Sequence, residues 1–234
     1  MKHSFHEDQF VGLLLTFIGG AMDAYTYIHY DAFASAQTGN LVLAIIHGFS
    51  GDWASVGKKL LSTLFFFVGI LLAKFAIDYF RKKNWHFWRL FVLYYEAVIF
   101  FVISLKVVNV YPALVTVLIA FTAAIQWIAF DKINGRAYTN LFTTGNLKGV
   151  ATNLYDYLKT KEQKDWENFM HFLRVVLSFI TGGVVSIACY HWIGYKAVLL
   201  IAIIFILLAL YETLMTLRFY RETSFSIGKN NKLP

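Results

Sequence analysis

The chain has 234 residues, 58% of them hydrophobic, 18% aromatic and only 15% charged, with a mean hydropathy of +0.56. That balance excludes an ordinary soluble domain and marks an integral membrane protein. A net charge of +7 would suggest nucleic acid for a soluble chain, but here the Lys and Arg sit in short connections beside apolar segments, where they report orientation; no nucleic acid partner is expected.

A bilayer core takes about 20 apolar residues per helix. Six stretches qualify: 10–29, 60–80, 88–108, 111–130, 169–192 and 197–217. The segment after the N-terminal Glu7 and Asp8 contains Asp23 and lacks a small-residue cleavage site, so it reads as a retained span. Between the first and second spans lies Gln37-Thr38-Gly39-Asn40-Leu41, and between the fourth and fifth lies Thr143-Thr144-Gly145-Asn146-Leu147. The two strings share Thr-Gly-Asn-Leu at a spacing of 106 (144 minus 38). Thr and Asn are side chains that accept from the free amides of a first helical turn, and Gly lets backbone or ligand come close. Each string therefore predicts a short helix too short to cross, over 41–49 and 147–158.

Lys and Arg set the orientation. Arg81, Lys82, Lys83 and Arg89 follow span two, and Arg218, Arg221, Lys229 and Lys232 follow span six, so both regions are expected on the cytoplasmic side together with the N-terminus. Lys58 and Lys59, which fall outside on this count, are its weakest point.

Further matches extend the repeat. Asp52-Trp53 answers Asp165-Trp166, and Gly69 answers Gly182, both at a spacing of 113. The expectation is an all-α membrane protein of six transmembrane helices, a single polytopic domain over 1–234. It forms a 3+3 inverted repeat (10–108 and 111–217) with a short tail at 218–234 and one broken or re-entrant helix after the first span of each half. The first short helix is too apolar for a surface helix, whereas the second, with Lys148, Asn153 and Asp156, suits a surface almost as well.

Two helix N-termini aimed at one place would bind an anion or a carbonyl-rich molecule. Thr38, Gly39, Asn40, Thr144, Gly145 and Asn146, with Gln37 and Gln126, are the candidate substrate-binding residues. Acids inside a span are costly and mark function, so Asp23 and Glu96 are the proton-coupling candidates. Asp23 has a second reading, in which it holds the broken end of a helix through backbone or Thr26. A single cysteine, Cys189, allows no internal disulfide or Cys-based metal site, and no H-E-x-x-H, His/Asp cluster or nucleophile motif offers a metal or catalytic centre; no metal, no cofactor and no enzymatic activity are expected.

Gly19-Gly20-Ala21-Met22-Asp23-Ala24 followed by an aromatic-rich stretch and Thr38-Gly39-Asn40-Leu41 resembles the YoaK-type family of bacterial inner-membrane proteins. The resemblance implies a multi-pass protein of the bacterial cytoplasmic membrane and brings no substrate with it. The function expected is a small secondary transporter or exporter of an anionic or carbonyl-bearing solute. The alternatives are a channel, a non-transporting scaffold or a membrane enzyme. Its partners would be the lipid bilayer, the solute and, in a homodimer, a second copy.

Overall fold

The computed structural model describes residues 7–85 and 87–230. Lys232 of the expected basic tail lies outside them, and at Lys229 only the backbone is described. Nine helices and one small hairpin make up the described chain: α1 Gln9–Tyr30, α2 Gln37–Phe49, α3 Trp53–Lys82, α4 Trp88–Ser104, α5 Lys106–Asn109, α6 Pro112–Ala129, β1 Lys132–Ile133, β2 Arg136–Ala137, α7 Thr144–Thr160, α8 Gln163–Ile193 and α9 Val198–Asn230. A 3-10 turn, Gly194–Ala197, joins α8 to α9.

Local chemistry sets the ends. Asp8 Oδ1 accepts from the Phe10 amide (2.7 Å) to start α1, and Asp31 closes it in the left-handed region (φ 54°). Asp52 Oδ1 accepts from the Ser55 amide to start α3. Burial-independent hydrogen bonding of this kind holds the Asp52 carboxyl below its usual range, the Ser55 contacts being the largest cause. Pro112 opens α6, where a missing amide costs nothing. Gly194, at φ 61°, stops α8 in a conformation that side chains rarely adopt.

Four stretches among the described residues are long and apolar enough to cross a membrane: Gln9–Tyr30, Trp53–Lys82, Pro112–Ala129 and Gln163–Phe219. The last is 57 residues long and contains both α8 and most of α9. The expected third span is shorter than its hydropathy suggested, because the helix breaks at Leu105, in extended backbone, before the single turn of α5. The expected tail at 218–234 instead begins as a continuation of α9.

α1 is the centre of the bundle. In its most apolar window 67% of residues are buried, against 28% for α3 and 50% for α6. One side packs on α8, and the other meets α6, the 130–141 segment and α9. α1 and α8 run parallel: Ser178 Oγ donates to the Leu13 carbonyl (2.6 Å) and Ser186 Oγ to that of Ala21 (3.0 Å), an advance of eight residues on each helix. Glycines permit this closeness, since a Cβ on Gly182 would land on the Phe17 carbonyl and one on Gly20 on that of Phe179. α3 packs on α6 with Gly69 against the Phe121 carbonyl, α4 packs on α9, and α2 and α7 lie on α3 and α8.

Candidate functional site

Asp23 is buried in the last third of α1 and faces residues 34–36, just before α2. Its Oδ1 accepts from the Ser35 amide (2.7 Å), and its Oδ2 lies 2.7 Å from Ser35 Oγ. The same hydroxyl lies 2.8 Å from the carbonyl oxygen of Leu141, in the segment before α7. A hydroxyl has one hydrogen, so it cannot donate to both oxygens. A proton on Asp23 Oδ2 completes the chain, with Asp23 donating to Ser35 and Ser35 to Leu141. Thr26, the partner suggested by proximity in sequence, donates to the Met22 carbonyl (2.9 Å) instead, with the Asp23 carbonyl oxygen at 3.3 Å.

Ser35 and Leu141 are themselves 106 positions apart. The segments that introduce the two Thr-Gly-Asn helices thus touch at equivalent residues.

The asparagines of the two strings do something other than cap. Asn40 Oδ1 accepts from the Phe33 amide (2.8 Å) while its Nδ2 donates back to the Phe33 carbonyl (2.8 Å). Asn146 repeats this on Thr139, at 3.3 and 2.7 Å. Each amide behaves as a strand partner for the residue seven positions earlier, pinning an extended loop against the first turn. The expectation that Thr and Asn would accept from first-turn amides is corrected here. The residues at the cap positions are Ala36 and Thr143, neither makes a side-chain cap bond, and the Thr-Gly-Asn residues already lie inside the helices. The helices accordingly begin earlier than expected, at Gln37 and Thr144.

The other candidates divide between the buried and the presented. Gln37 Nε2 donates to the Ala34 carbonyl (2.8 Å), and its Oε1 accepts from Asn40 Nδ2 and Thr63 Oγ1. Ser62, on α3, donates to the Phe33 carbonyl (3.0 Å) and so locks the same loop. Gln126 is fully buried, with Nε2 on the Leu15 carbonyl (3.2 Å) and Oε1 without a partner. Glu96 is apart from this group on α4, fully buried, with neither carboxyl oxygen hydrogen-bonded. The neighbouring hydroxyls are taken, Tyr94 by Thr213 and Tyr95 by Thr122. Thr38, Thr144 and Gly145 are exposed, and Gly39 rests against the Phe33 ring.

Three cavities lie elsewhere: a polar pocket beside the start of α8, an apolar groove between α4 and α9, and another between α2 and α3. None is lined by Asp23, Asn40 or Asn146.

Two further clusters escaped the sequence reading. Lys58 Nζ donates to the Tyr30 carbonyl (3.0 Å), and the wholly buried Lys59 donates to the Asp31 carbonyl (2.6 Å) and carboxylate (2.8 Å). These lysines satisfy the free carbonyl end of α1, which explains a basic pair on the side where orientation counting disfavours one. His47 lies between the Asp31 and Asp52 carboxylates, at 3.6 and 3.2 Å. Next to this, His29 bonds Tyr190 Oη (2.6 Å) and Asn109 Oδ1 (2.9 Å), while Asn109 Nδ2 donates to Tyr25 Oη (2.9 Å). Because Asn109 presents its oxygen, His29 carries its proton on Nε2 and accepts from the tyrosine. That network ties α1 to α5 and α8. The sequence gives no short-range sign of it, since its bonded partners are up to 161 positions apart.

Long apolar helices, several of them able to span a membrane, with polar groups buried between them make this a membrane-like helical protein. A family model described as "Protein of unknown function (DUF1275)" matches residues 11–211, from α1 into α9, and the chain belongs to that family. No curated protein and no solved structure matches the chain.

Proposed function

We propose that the protein is a small secondary transporter or exporter of an anionic or carbonyl-bearing solute, with Asp23 carrying a coupling proton. The observation that carries this reading is the Asp23–Ser35–Leu141 junction, where a buried carboxyl joins the two segments that lead into α2 and α7. A proton there completes the junction and its departure leaves one oxygen without a donor. Protonation is thereby linked to whether the two loops stay together. Asn40 and Asn146 act as positioning residues in this account, and Thr38, Gly39, Thr144 and Gly145 meet the solute when the halves part.

Several features support six spans in a 3+3 inverted repeat. When α1–α4 are matched to α6–α9, the packing of α1 on α8 becomes that of α6 on α3, α2 on α3 becomes α7 on α8, and α4 on α6 becomes α9 on α1. If only α1, α3 and α6 crossed before it, α8 would be the fourth crossing and antiparallel to α1. The two are parallel, which supports a crossing by α4 as well. Equivalent residues in contact, Ser35 with Leu141, fit a two-fold axis in the membrane plane. The YoaK-type likeness fits a bacterial cytoplasmic membrane, with both termini inside.

The test uses the full chain in liposomes containing a pH-sensitive dye, exposed to a panel of small carboxylates and amides. Saturable, solute-dependent proton flux is expected, and Asp23→Asn should remove the proton flux without loss of stability. Asparagine reproduces the protonated carboxyl, donating to Ser35 and accepting from its amide. In a Cys189→Ser background, single cysteines at Thr38 and Thr144 should react with impermeant thiol reagents from opposite faces. Reaction of both from one face would sink the inverted repeat and the transport reading with it. Flux that fails to saturate would make the protein a channel.

A further inference from the structure

The polar pocket differs in kind from the two apolar grooves. It encloses about 320 Å³ between the first three turns of α8, the start of α1 and the β1–β2 hairpin. That volume suits a small ligand. The hairpin is fixed in place: Asn134 and Gly135 occupy positive-φ positions (50° and 77°) at its turn, and both amides bond to Glu7, at 2.7 and 3.0 Å.

Two guanidiniums line the pocket. Arg136 Nη2 pairs with Glu167 Oε2 (3.1 Å), whereas Arg174 has no ion pair among the described residues. Both arginines bear electrostatically on His171, which also lines the pocket and is 7% exposed. Its Nε2 is buried without a hydrogen-bond partner. Among the lining side chains of fixed charge, Arg136 and Arg174 against Glu167 leave one positive charge in excess. Gln9 and Asn134 add amide donors, α8 begins beside the pocket without a side-chain cap, and Trp166 and Met170 give an apolar wall.

We infer that this pocket binds a monoanionic oxyanion, a carboxylate or phosphodiester held by Arg174 and Arg136 beside the Trp166 ring. Arginine forks match the paired oxygens of such groups. The excess of one charge selects a singly charged ligand. A phosphodiester of the membrane's own phospholipid and a soluble carboxylate share this chemistry, and the experiment separates them. The inference stands independently of the transport reading, since none of these residues belongs to the Asp23 junction.

The full chain is taken in detergent for two measurements. Native mass spectrometry with phosphatidylglycerol or phosphatidylcholine counts retained lipid, and calorimetric titration with acetate or propionate reads soluble carboxylates. Retention of one phosphatidylglycerol, with phosphatidylcholine lost, assigns a phospholipid; carboxylate binding without lipid preference assigns a soluble ligand. In either case Arg174→Gln should weaken binding about tenfold, and Glu167→Gln, which frees Arg136, should strengthen it by a similar factor. The opposite signs exclude a general loss of structure as the cause. Absence of binding in both assays, or binding indifferent to both substitutions, would overturn the inference.

Discussion

Set side by side, α2 and α7 share a first turn and differ over the rest of their length. Each carries an asparagine that grips the backbone seven residues earlier, and each lies along the long helix that follows it. The outward faces then diverge. That of α2 is Leu41, Val42, Ile45, Ile46 and Phe49, all exposed, with Phe49 93% so. That of α7 mixes Leu147, Tyr155 and Leu158 with exposed Lys148, Thr152, Asp156 and Lys159. One local architecture therefore serves two media: the bracket fixes where the helix starts, and the outward side chains are suited to hydrocarbon in α2 and to a polar boundary in α7.

The bracket is the strongest point at which the comparison can be broken. Asn40→Ala would leave the Phe33 amide without its partner, the Phe33 carbonyl with Ser62 alone and Gln37 Oε1 with Thr63 alone, at a cost of about 3 kcal/mol in mixed-micelle unfolding. Asn146→Ala, with a longer bond on one side, should cost about half as much. Equal costs would mean that the two brackets are interchangeable.

The outward faces give the next test. Ile45→Lys should destabilise the protein in bilayers by about 3 kcal/mol if α2 faces hydrocarbon, whereas Ala151→Lys, at the equivalent position of α7 (45 plus 106), should change stability by no more than about 0.5 kcal/mol. Similar costs in folding assays in lipid vesicles would erase the distinction. A smaller effect sharpens how α7 is seated: a Cβ on Gly149 would press into the Phe172 ring of α8, where α2 carries Leu43, and Gly149→Ala should cost about 1–2 kcal/mol. The smallest concerns the exit from α2. The folded-state Asp52 carboxyl lies below its usual value, so its contribution is present above about pH 4, where the unfolded group ionises, and fades as pH falls through the folded value. The difference in melting temperature between wild type and Asp52→Asn should therefore vanish in acid; a difference that persists there would exclude ionisation as its source.

Much of this was legible in the residues. Apolar runs located the long helices, and the repeated Thr-Gly-Asn marked the two short ones. Asp23 stands out in the sequence as an acid within an apolar run. The role of Asn40 was not legible, because its partners are backbone groups that carry no side-chain signature. Lys58 and Lys59 misled for a related reason, since a lysine bonded to a helix end and one exposed beside a membrane look alike in a count. The Asn134-Gly135 turn did have a signal, an Asn-Gly pair between short β-prone residues, which the apolar runs on either side overshadowed.

The burial of α1 has a consequence for how the chain is made. α1, the most enclosed of the candidate spans, is made before its principal neighbour α8, and Ala21 waits for Ser186, 165 residues later. At about 5–20 residues per second, that is roughly 8–33 seconds of synthesis during which α1 is without its principal neighbour. For that interval Asp23 has only the Ser35 loop for company, and the Leu141 carbonyl arrives partway through. The centre of this molecule is a helix whose main neighbour is among the last to be made.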